Sequence, residues 1–361
     1  MAFCLFVLAL KAHILNILVT GGAGFIGSHT VVALQEAGFR PIILDDFSNS
    51  QPSALQGLEK ILGYPPRCYA EDCNHADTLR RIFREEDIRG VIHFAAFKAV
   101  GESMEQPLKY YANNVGSLIT LLQVMLEMGV GDLIFSSSCT VYGEPDRLPV
   151  TEHTPVQPAA SVYGNTKQVG EEILHDTVRA LRNVPSGATL RTISLRYFNP
   201  IGAHPSAHIG ELPLGVPNNL VPFITQSAAG LRPALRVHGD DYATPDGTGI
   251  RDYIHVMDLA EAHVAALRHL RGSVRQPSYA VYNVGTGRGY SVLEVIRAFE
   301  SVSGGRFEYQ IGPRRPGDVP AVYADVSKAT QELGWTARRS LHEALADAWR
   351  WQQRLGILAG V

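Results

Sequence analysis

Between Ile14 and Phe198 the sequence alternates short apolar runs with longer amphipathic stretches, and this alternation limits the possible folds strongly. The apolar runs are ILNILVT, PIILD, GVIHFAA, DLIFSSS and LRTISLRYF. The helical patterns between them are Ile26–Ala37, Ala76–Glu86, Pro107–Met128 and Val162–Leu181. Buried strands joined by helices are typical of a parallel sheet that is covered on both faces. We therefore predict an α/β fold with a doubly wound parallel sheet.

After Asn199 the composition changes towards that of loops. The segments PIGAHPSAHIGELPLGVPNN and GDDYATPDGTG are rich in Gly, Pro and Asp, and long ordered loops often serve binding. From Asp325 to Leu355 a helical pattern returns, and we expect Trp335, Trp349 and Trp351 to pack this tail against the rest. The prediction is a scaffold over residues 14–199, joined by a returning segment near 252–284, and a smaller, mainly ligand-binding α/β region over 200–361.

Composition excludes several classes of protein. Of the 361 residues, 45% are hydrophobic and 19% are charged, as in an ordinary globular protein. The formal net charge of -3 gives no reason to expect a nucleic-acid or anionic-membrane partner. The four cysteines, Cys4, Cys68, Cys73 and Cys139, have neither metal-ligand spacing nor the pattern of a disulfide framework. We therefore expect no metal site and a reducing compartment, the cytoplasm.

Residues 1–13 open with the apolar run MAFCLFVLAL, which is too short to span a bilayer. No basic residue precedes this run and no small-x-small cleavage site follows it, which disfavours a signal peptide. We expect an apolar extension of undefined role on a soluble protein.

A glycine-rich loop follows the first predicted strand. In LVTGGAGFIGSH, the residues Gly22, Gly24 and Gly27 form G-x-G-x-x-G, and Gly21 extends the motif. Glycines at these positions allow a tight turn and let backbone amides approach a pyrophosphate at the positive end of a helix. The loop therefore predicts a dinucleotide site and a Rossmann-type fold.

Two acids at the end of the next apolar run indicate which dinucleotide binds. Asp45 lies at about the distance of 20 residues at which an acid holds the adenosine ribose. A second carboxylate at Asp46 would repel a 2′-phosphate, so NAD is favoured over NADP. Structural glycines with Asp45 as a helix cap remain the simpler alternative, but strand, loop, helix and acid agree with a cofactor site.

A tyrosine and a lysine stand one helical turn apart in SVYGNTK. Tyr163 and Lys167 are i and i+4 and share a helix face. A neighbouring ammonium favours the phenolate, so we expect the pKa of Tyr163 to fall from about 10 towards neutrality, as a general base for an alcohol requires. Gly164 suggests close packing beside the tyrosine, and a hydroxyl at the end of DLIFSSS would hold the substrate oxygen. Taken alone, such a pair is more often an ordinary surface pair; its order after the cofactor motif favours catalysis.

These motifs resemble a known family. TGGAGFIGSH, SSSCTVYG and Tyr163-x-x-x-Lys167 are similar to the extended short-chain dehydrogenase/reductase superfamily. More narrowly, VIHFAAFKAVGES, LRYFNPIGAHPS, PNNLVPF, DGTGIRDYIHVMDLA and YNVGTGRGYSVLEV resemble the UDP-glucose 4-epimerases, from about Asn16 to Trp351. The resemblance implies an NAD-dependent isomerase of galactose metabolism, and a homodimer that pairs through the helices Pro107–Met128 and Val162–Leu181.

The resemblance also implies roles for individual residues. The implied catalytic residues are Ser138, Tyr163 and Lys167. The implied NAD contacts are Gly21, Gly22, Gly24, Phe25, Ile26, Gly27, Asp45, Asp46, Asp72, Cys73, Phe94, Ala95, Lys98, Asn113, Ser136, Tyr163, Lys167 and Phe198. The implied UDP-sugar contacts are Lys98, Ser138, Tyr163, Asn199, Asn219, Leu220, His238, Arg251, Tyr253, Arg315, Asp318 and Val322. Two arginines suit a diphosphate, although pairing of Arg251 with Asp252 is the simpler alternative.

Rival activities differ around Thr140. Sugar-nucleotide 4,6-dehydratases place an Asp-Glu pair after this threonine, and related decarboxylases place a glutamate near it. This chain has Cys139-Thr140-Val141 there, which favours epimerisation. A non-catalytic NAD-sensing protein on the same fold is the alternative from another class, and the complete Ser-Tyr-Lys set disfavours it.

Some positions depart from the family pattern. Cys139 replaces a common alanine, His238 replaces an expected phenylalanine near the uracil, and Pro316 replaces a glutamate beside Arg315. Val322 stands where a bulky tyrosine restricts the family to plain hexoses, so we predict turnover of UDP-N-acetylhexosamines as well. That Val322 is only a core strand residue is the simpler alternative.

Overall fold

The computed structural model describes residues 14–183, 187–315 and 318–359. The apolar extension over residues 1–13 and the departure at Pro316 lie outside the described residues.

A seven-stranded sheet forms the centre of the molecule, in the order β10-β6-β5-β4-β1-β2-β3. The strands are β1 Asn16–Thr20, β2 Arg40–Leu44, β3 Cys68–Tyr69, β4 Ile88–His93, β5 Asp132–Ser138, β6 Arg191–Tyr197, β7 Asn199–Ile201, β8 Leu235–His238, β9 Ile250–His255, β10 Ser278–Val284, β11 Gly289–Ser291, β12 Tyr309–Gly312 and β13 Ala321–Val322. Every neighbouring pair in the central sheet is parallel. The five predicted strands are all present, and the predicted α/β class is confirmed.

Helices cover both faces of this sheet. They are α1 Phe25–Glu36, α2 Ser53–Leu62, α3 Ala76–Glu85, α4 Val100–Glu105, α5 Pro107–Tyr110, α6 Gly116–Glu127, α7 Val162–Asn183, α8 Leu220–Ala228, α9 Val256–Gly272, α10 Val292–Ser303 and α11 Leu341–Ala359. One apolar cluster joins α1 and α9 to the sheet, and another joins α3, α6 and α7 to it. The strands are therefore buried on both sides, as their apolar runs indicate.

Within the 252–284 segment, α9 packs on α1 and β10 pairs with β6 in parallel. This part of the chain thus continues the central sheet after a long excursion. Among the described residues, no helix is long and apolar enough to cross a membrane.

The other strands form smaller sheets. Strands β11, β9 and β13 lie side by side, and β7 pairs with β9. Because β7 begins two residues after β6 ends, it leads the chain from the carboxyl edge of the central sheet to this second sheet. Ligands of doubly wound folds bind at that edge, where the strand order reverses, here between β1 and β4.

The tail packs as predicted but is less helical. A π-helical turn at Ala329–Leu333 and an irregular segment precede α11, so helix occupies only part of the predicted stretch. The indole of Trp335 donates to the carbonyl of Asp258 at 3.0 Å, Trp349 packs edge-on against Phe299, and Trp351 donates to the carbonyl of Glu211 at 3.0 Å. These contacts hold the tail against both α9 and the loops after β7.

Candidate active site

The glycine loop between β1 and α1 is tightly packed. Gly21 has a φ of +70°, in the region that favours glycine, and a Cβ there would lie 2.8 Å from the amide nitrogen of Ala95. A Cβ at Gly27 would lie 2.2 Å from the carbonyl oxygen of Gly21. These two glycines are therefore required by space, and the backbone they expose forms a side-chain-free cradle at the carboxyl end of β1.

Helix α1 directs its first amides into this cradle. The first bond of the helix runs from the amide of Ser28 to the carbonyl of Gly24, so the amides of Phe25, Ile26 and Gly27 precede any intrahelical acceptor. A helix start of this kind attracts phosphate oxygens.

Asp45 closes one side of the cradle. Its Oδ2 accepts from the amide of Ala23 at 2.9 Å, and its Oδ1 accepts from the amide of Phe47 at 3.0 Å and the hydroxyl of Ser50 at 2.7 Å. Burial raises the pKa of Asp45, while these three donors act to lower it. Asp45 therefore caps local turns through Oδ1 and faces the glycine loop with Oδ2. The interpretation as a cap and the interpretation as part of a cofactor site each describe one of its carboxylate oxygens. Asp46 beside it is exposed.

Asp72 and Asn113 are linked beside the loop. Asp72 accepts from the side-chain amide of Asn74 at 2.8 Å, and the same amide donates to Asn113 at 3.2 Å. Asn113 lies in a π-helical turn, Tyr111–Val115, which interrupts the predicted helix over 107–128. Such turns are frequent at functional sites. The spacing of apolar residues gave no sign of this interruption.

The remaining candidate cofactor residues lie at the ends of neighbouring strands. Phe94 follows β4 and packs on His263 at 4.7 Å between ring centroids. Ser136 is in β5 and Phe198 directly follows β6, and both are buried. Cys73 is also buried, in the cluster on the α3 and α6 side of the sheet.

Ser138, Tyr163 and Lys167 lie together at the end of β5. Ser138 lies close enough to Tyr163 to act to lower the pKa of its phenol, and the Nζ of Lys167 donates to the carbonyl of Ser136 at 2.7 Å. The same Nζ lies 5.9 Å from the centroid of the Tyr163 ring. The three side chains that the sequence predicts to act together are thus neighbours in the fold.

The protein residues alone do not produce the expected phenolate. Burial raises the pKa of Tyr163 to about 12, and the nearby Ser138 only partly opposes this. Burial also lowers the pKa of Lys167 to about 7, and its Nζ faces the carbonyl of Ser136 rather than the phenol. The expectation that Lys167 alone brings the pKa of Tyr163 towards neutrality is therefore wrong, because desolvation outweighs the influence of the lysine.

The start of α7 explains the unusual segment SVYGNTK. Ser161 caps the helix, since its hydroxyl accepts from the amide of Gly164 at 3.1 Å. A Cβ at Gly164 would meet its nearest neighbours at 3.4 and 3.5 Å, which are ordinary contacts. The expected close packing occurs instead at Gly170, where a Cβ would lie 2.7 Å from the ring of Phe135.

Arg251 pairs with Asp318. The Nη2 of Arg251 lies 3.3 Å from Oδ1 of Asp318, whereas Asp252 accepts from Thr286 and from the amides of Gly287 and Ala324. The alternative pairing of Arg251 with Asp252 is therefore wrong, because adjacent strand residues point to opposite faces.

Glu211 joins two of the candidate substrate residues and was missed by the sequence reasoning. Its Oε1 accepts from the side-chain amide of Asn219 at 2.8 Å and from the Nζ of Lys98 at 3.4 Å. The Glu211 side chain is only 11% exposed, against 51% for Lys98. The loop that carries it is held in place, because a Cβ at Gly210 would lie 2.5 Å from the Trp351 ring. A glutamate in a loop of such composition gives no local signal of this contact.

The chain is similar to known proteins over most of its length. A family model described as GDP-mannose 4,6 dehydratase matches residues 18–348. The UDP-glucose 4-epimerase of Yersinia pestis is 49% identical over 338 residues, which cover 94% of this chain and 97% of that protein. The chain belongs to the UDP-glucose 4-epimerase family.

Solved structures of epimerases have the same fold. A UDP-glucose-4-epimerase from Stenotrophomonas maltophila, crystallised with bound NAD and formylated UDP-arabinopyranose, is 46% identical, with a TM-score of 0.90 over 95% of this chain and 99% of that one. The enzyme from Bifidobacterium longum, in complex with NAD+ and UDP, is 47% identical, with a TM-score of 0.88 over 94% and 98%. This places the chain in the extended short-chain dehydrogenase/reductase superfamily.

The other residues expected from the epimerase family lie around β9. Asn199 in β7 pairs with Tyr253 in β9, and Tyr253 is buried in a core cluster. Val322 in β13 pairs with Arg251 and packs in a cluster with Phe198, with Cys139 against it. His238 ends β8, Leu220 begins α8, and Arg315 is exposed after β12. Val322 is thus both a buried strand residue and a neighbour of the catalytic segment.

Proposed function

We propose that this chain inverts C4 of a UDP-hexose and interconverts UDP-galactose and UDP-glucose as an NAD-dependent epimerase. The observation that carries the proposal is the grouping of Ser138, Tyr163 and Lys167 at the end of β5, on the same carboxyl edge of the sheet as the glycine cradle, in a member of the epimerase family. That grouping supplies a base, a hydroxyl and an ammonium at one point.

The cradle fits NAD. Backbone amides at the start of α1 suit the pyrophosphate, and the buried Asp45 suits the adenosine ribose. The residues that would hold the cofactor are those named from the resemblance, with Lys167 on the nicotinamide ribose. NAD supplies the acceptor of the C4 hydride and, once reduced, its donor, so no net oxidation occurs and the cofactor stays bound.

The residues of this chain move the proton. Tyr163 takes the proton of the sugar 4-hydroxyl and returns it after the 4-keto sugar has turned its other face to the cofactor, while Ser138 holds the oxygen. A phenol whose pKa burial raises to about 12 needs positive charge nearby to act as a base at neutral pH. We propose that Lys167 provides this charge when the site holds oxidised NAD.

We propose that the second sheet and its loops hold the UDP part. Arg251 and Arg315 would neutralise the diphosphate, and Asp318 would remain paired with Arg251. Asn199, Asn219, Leu220, His238 and Tyr253 complete the set. This division assigns NAD mainly to residues 14–199 and the UDP-sugar mainly to 200–361.

We propose that N-acetylated UDP-hexoses are also substrates. Val322 is 6% exposed and packs near Cys139 and Phe198, beside the proposed sugar site. A valine there occupies less space than the tyrosine that the family resemblance leads us to expect.

We propose a homodimer that pairs through the helices over 107–128 and 162–181, against which α4 packs. Four large apolar side chains on this side are exposed: Val100 51%, Met104 59%, Leu108 81% and Ile119 41%. Exposed apolar residues grouped in this way are typical of an interface. We also propose a cytoplasmic location, which the free thiols of Cys68, Cys73 and Cys139 support.

A direct assay tests the function. The purified protein is incubated with UDP-galactose without added NAD, and UDP-glucose is measured together with the NAD released on denaturation. We expect conversion and bound NAD. Inactivity of folded, NAD-loaded protein would contradict the proposal. Formation of a 4-keto-6-deoxy product would instead indicate a dehydratase, which the sequence Cys139-Thr140-Val141 disfavours.

A further inference from the structure

Glu171 continues the catalytic face of helix α7. It follows Lys167 by four residues, as Lys167 follows Tyr163, so the three side chains lie along one face. The hydroxyl of Ser137 donates to Oε1 of Glu171. The neighbours of Ser137 in β5, Ser136 and Ser138, face Lys167 and Tyr163. The contact between Ser137 and Glu171 has no part in the proposed chemistry.

Glu171 is buried and fully engaged. Its carboxylate receives both arms of Arg196 from β6, with Nε 2.9 Å from Oε1 and Nη2 hydrogen-bonded to Oε2. The side chains of Arg196 and Glu171 are only 6% and 9% exposed, and the guanidinium lies 4.9 Å above the centroid of the Tyr142 ring. Buried ion pairs add little stability over apolar residues of similar volume, so the value of this pair lies in what it fixes. It ties α7 to β5 and β6 directly below the catalytic pair.

Lys167 has few charges around it. Strand β5 offers its ammonium only the carbonyl of Ser136 and the ring of Phe135, 5.1 Å away. Burial lowers the pKa of Lys167 to about 7, and Glu171 is the group whose charge acts to raise it. Other titratable or charged groups lie on the elements packed around it: His93 on β4, Tyr110 on α5, Cys139 and Tyr142 after β5, Arg196 and Tyr197 on β6, Tyr279 on β10, and Tyr163 on its own helix. His93 is neutral, because burial lowers its pKa to about 3.

We propose that Glu171 is a positioning residue for the catalytic pair: it anchors α7 on the ends of β5 and β6, and its negative charge offsets part of the positive charge that Arg196 and the buried ammonium of Lys167 place there. The role in turnover rests on the function proposed above. The anchoring and the charge balance belong to the chain itself and are measurable without substrate.

The first experiment measures the titration of Lys167 directly. Isotope-labelled lysine is followed by NMR over a pH series, and the signal of Lys167 is assigned by its loss in Lys167→Met. In Glu171→Gln, which keeps the shape and loses the charge, we expect the midpoint to fall by at least about 0.5 pH unit. Glu172→Gln is the matched control, since Glu172 is adjacent and exposed, and it should leave the midpoint unchanged.

The second experiment separates charge from anchoring. Glu171→Asp keeps the charge but shortens the reach to Ser137 and Arg196, so the Lys167 midpoint should stay near that of wild type while kcat falls about tenfold at an unchanged KM. In Glu171→Gln the alkaline limb of the kcat profile should move to lower pH, because Lys167 loses its proton earlier. Ser137→Ala removes one contact and no charge, and it carries the anchoring test should Glu171→Gln fail to fold. We expect it to lower kcat without moving the limb.

Each outcome has one meaning. A Lys167 midpoint that is equal in wild type, Glu171→Gln and Glu172→Gln would overturn the charge balance, and unchanged kcat in both Glu171→Asp and Ser137→Ala would overturn the anchoring. Either result leaves the proposed function intact if wild type converts UDP-galactose. An inactive wild type with a shifted midpoint in Glu171→Gln would refute the function and keep the charge balance.

Discussion

Val322 is the parallel-strand neighbour of Arg251, and its side chain packs in the cluster that includes Phe198. Val322 on β13 therefore adjoins both Arg251, the proposed diphosphate anchor, and the segment Cys139–Tyr142 that follows the catalytic strand β5. A larger side chain at this position has to extend towards the sugar or displace the core.

We expect Val322→Tyr to restrict the substrate range. The ratio of kcat/KM for UDP-N-acetylglucosamine over UDP-glucose should fall by about tenfold or more, since rejecting a group for lack of space is worth about 1–3 kcal/mol. Val322→Ala serves as the control and should keep the ratio. If the tyrosine leaves the ratio unchanged, Val322 is only a core residue.

Tyr163→Phe should abolish epimerisation while NAD remains bound. The change removes the proposed base and little volume, so kcat should fall by about a hundredfold or more. NAD content is measured after denaturation, and Tyr64→Phe is the control, because Tyr64 is exposed and bonds only to Gln35 on the surface. Near-normal turnover without the phenol would refute the assignment of the base.

Glu211→Ala should weaken substrate binding. Asn219 would lose the acceptor of its amide and Lys98 its partner, so we expect KM for UDP-galactose to rise by about tenfold with kcat within about twofold. Glu211→Gln keeps an acceptor for Asn219, so its KM for UDP-galactose should lie between those of wild type and Glu211→Ala. Glu308→Ala, at an exposed position, is the control. A loss confined to kcat would show that Glu211 acts on the chemical step instead.

Three buried histidines should make stability fall in acid. Burial lowers the pKa of His29 and His93 to about 3 and that of His263 to about 4, whereas an unfolded histidine binds a proton below about pH 6.5. The unfolded state therefore holds more protons between about pH 4 and 6.5, and the free energy of unfolding drops as pH is lowered, by up to about 1.4 kcal/mol per pH unit for each histidine.

Urea unfolding over about pH 4.5–7 measures the slope of the free energy of unfolding against pH, and this range overlaps the window between the folded and unfolded pKa values of the three histidines. His263→Phe should reduce the slope by close to one proton, while His342→Gln, at an exposed position, should not change it. Equal slopes in wild type and His263→Phe would show that His263 titrates normally in the folded protein.

Sequence reasoning located the sheet and the catalytic pair because both depend on local spacing. The apolar runs marked the five long strands before Phe198 but not β9 or β10, and four-residue spacing put Tyr163 and Lys167 on one face. The two-residue strand Cys68–Tyr69 and the short helix Val100–Glu105 were missed, since elements of this length carry too few residues to show a period.

The spacing of residues in a sequence gives no information on desolvation or on contacts between residues that are far apart in the chain. The pKa of Tyr163 was misjudged because burial is a property of the assembled site. Glu211 meets Lys98 across 113 residues, and Asp318 meets Arg251 across 67. No pattern in either segment specifies these partners, although the family resemblance named three of the four residues.

The contact between Trp351 and the loop of Gly210 and Glu211 affects how the protein can be handled. The last helix bears on the loop that carries Glu211, and Glu211 contacts two residues that we propose to hold the substrate. A shortened chain that lacks Trp351 would therefore lose a support of this loop, and its kinetic constants would not be those of the full-length protein.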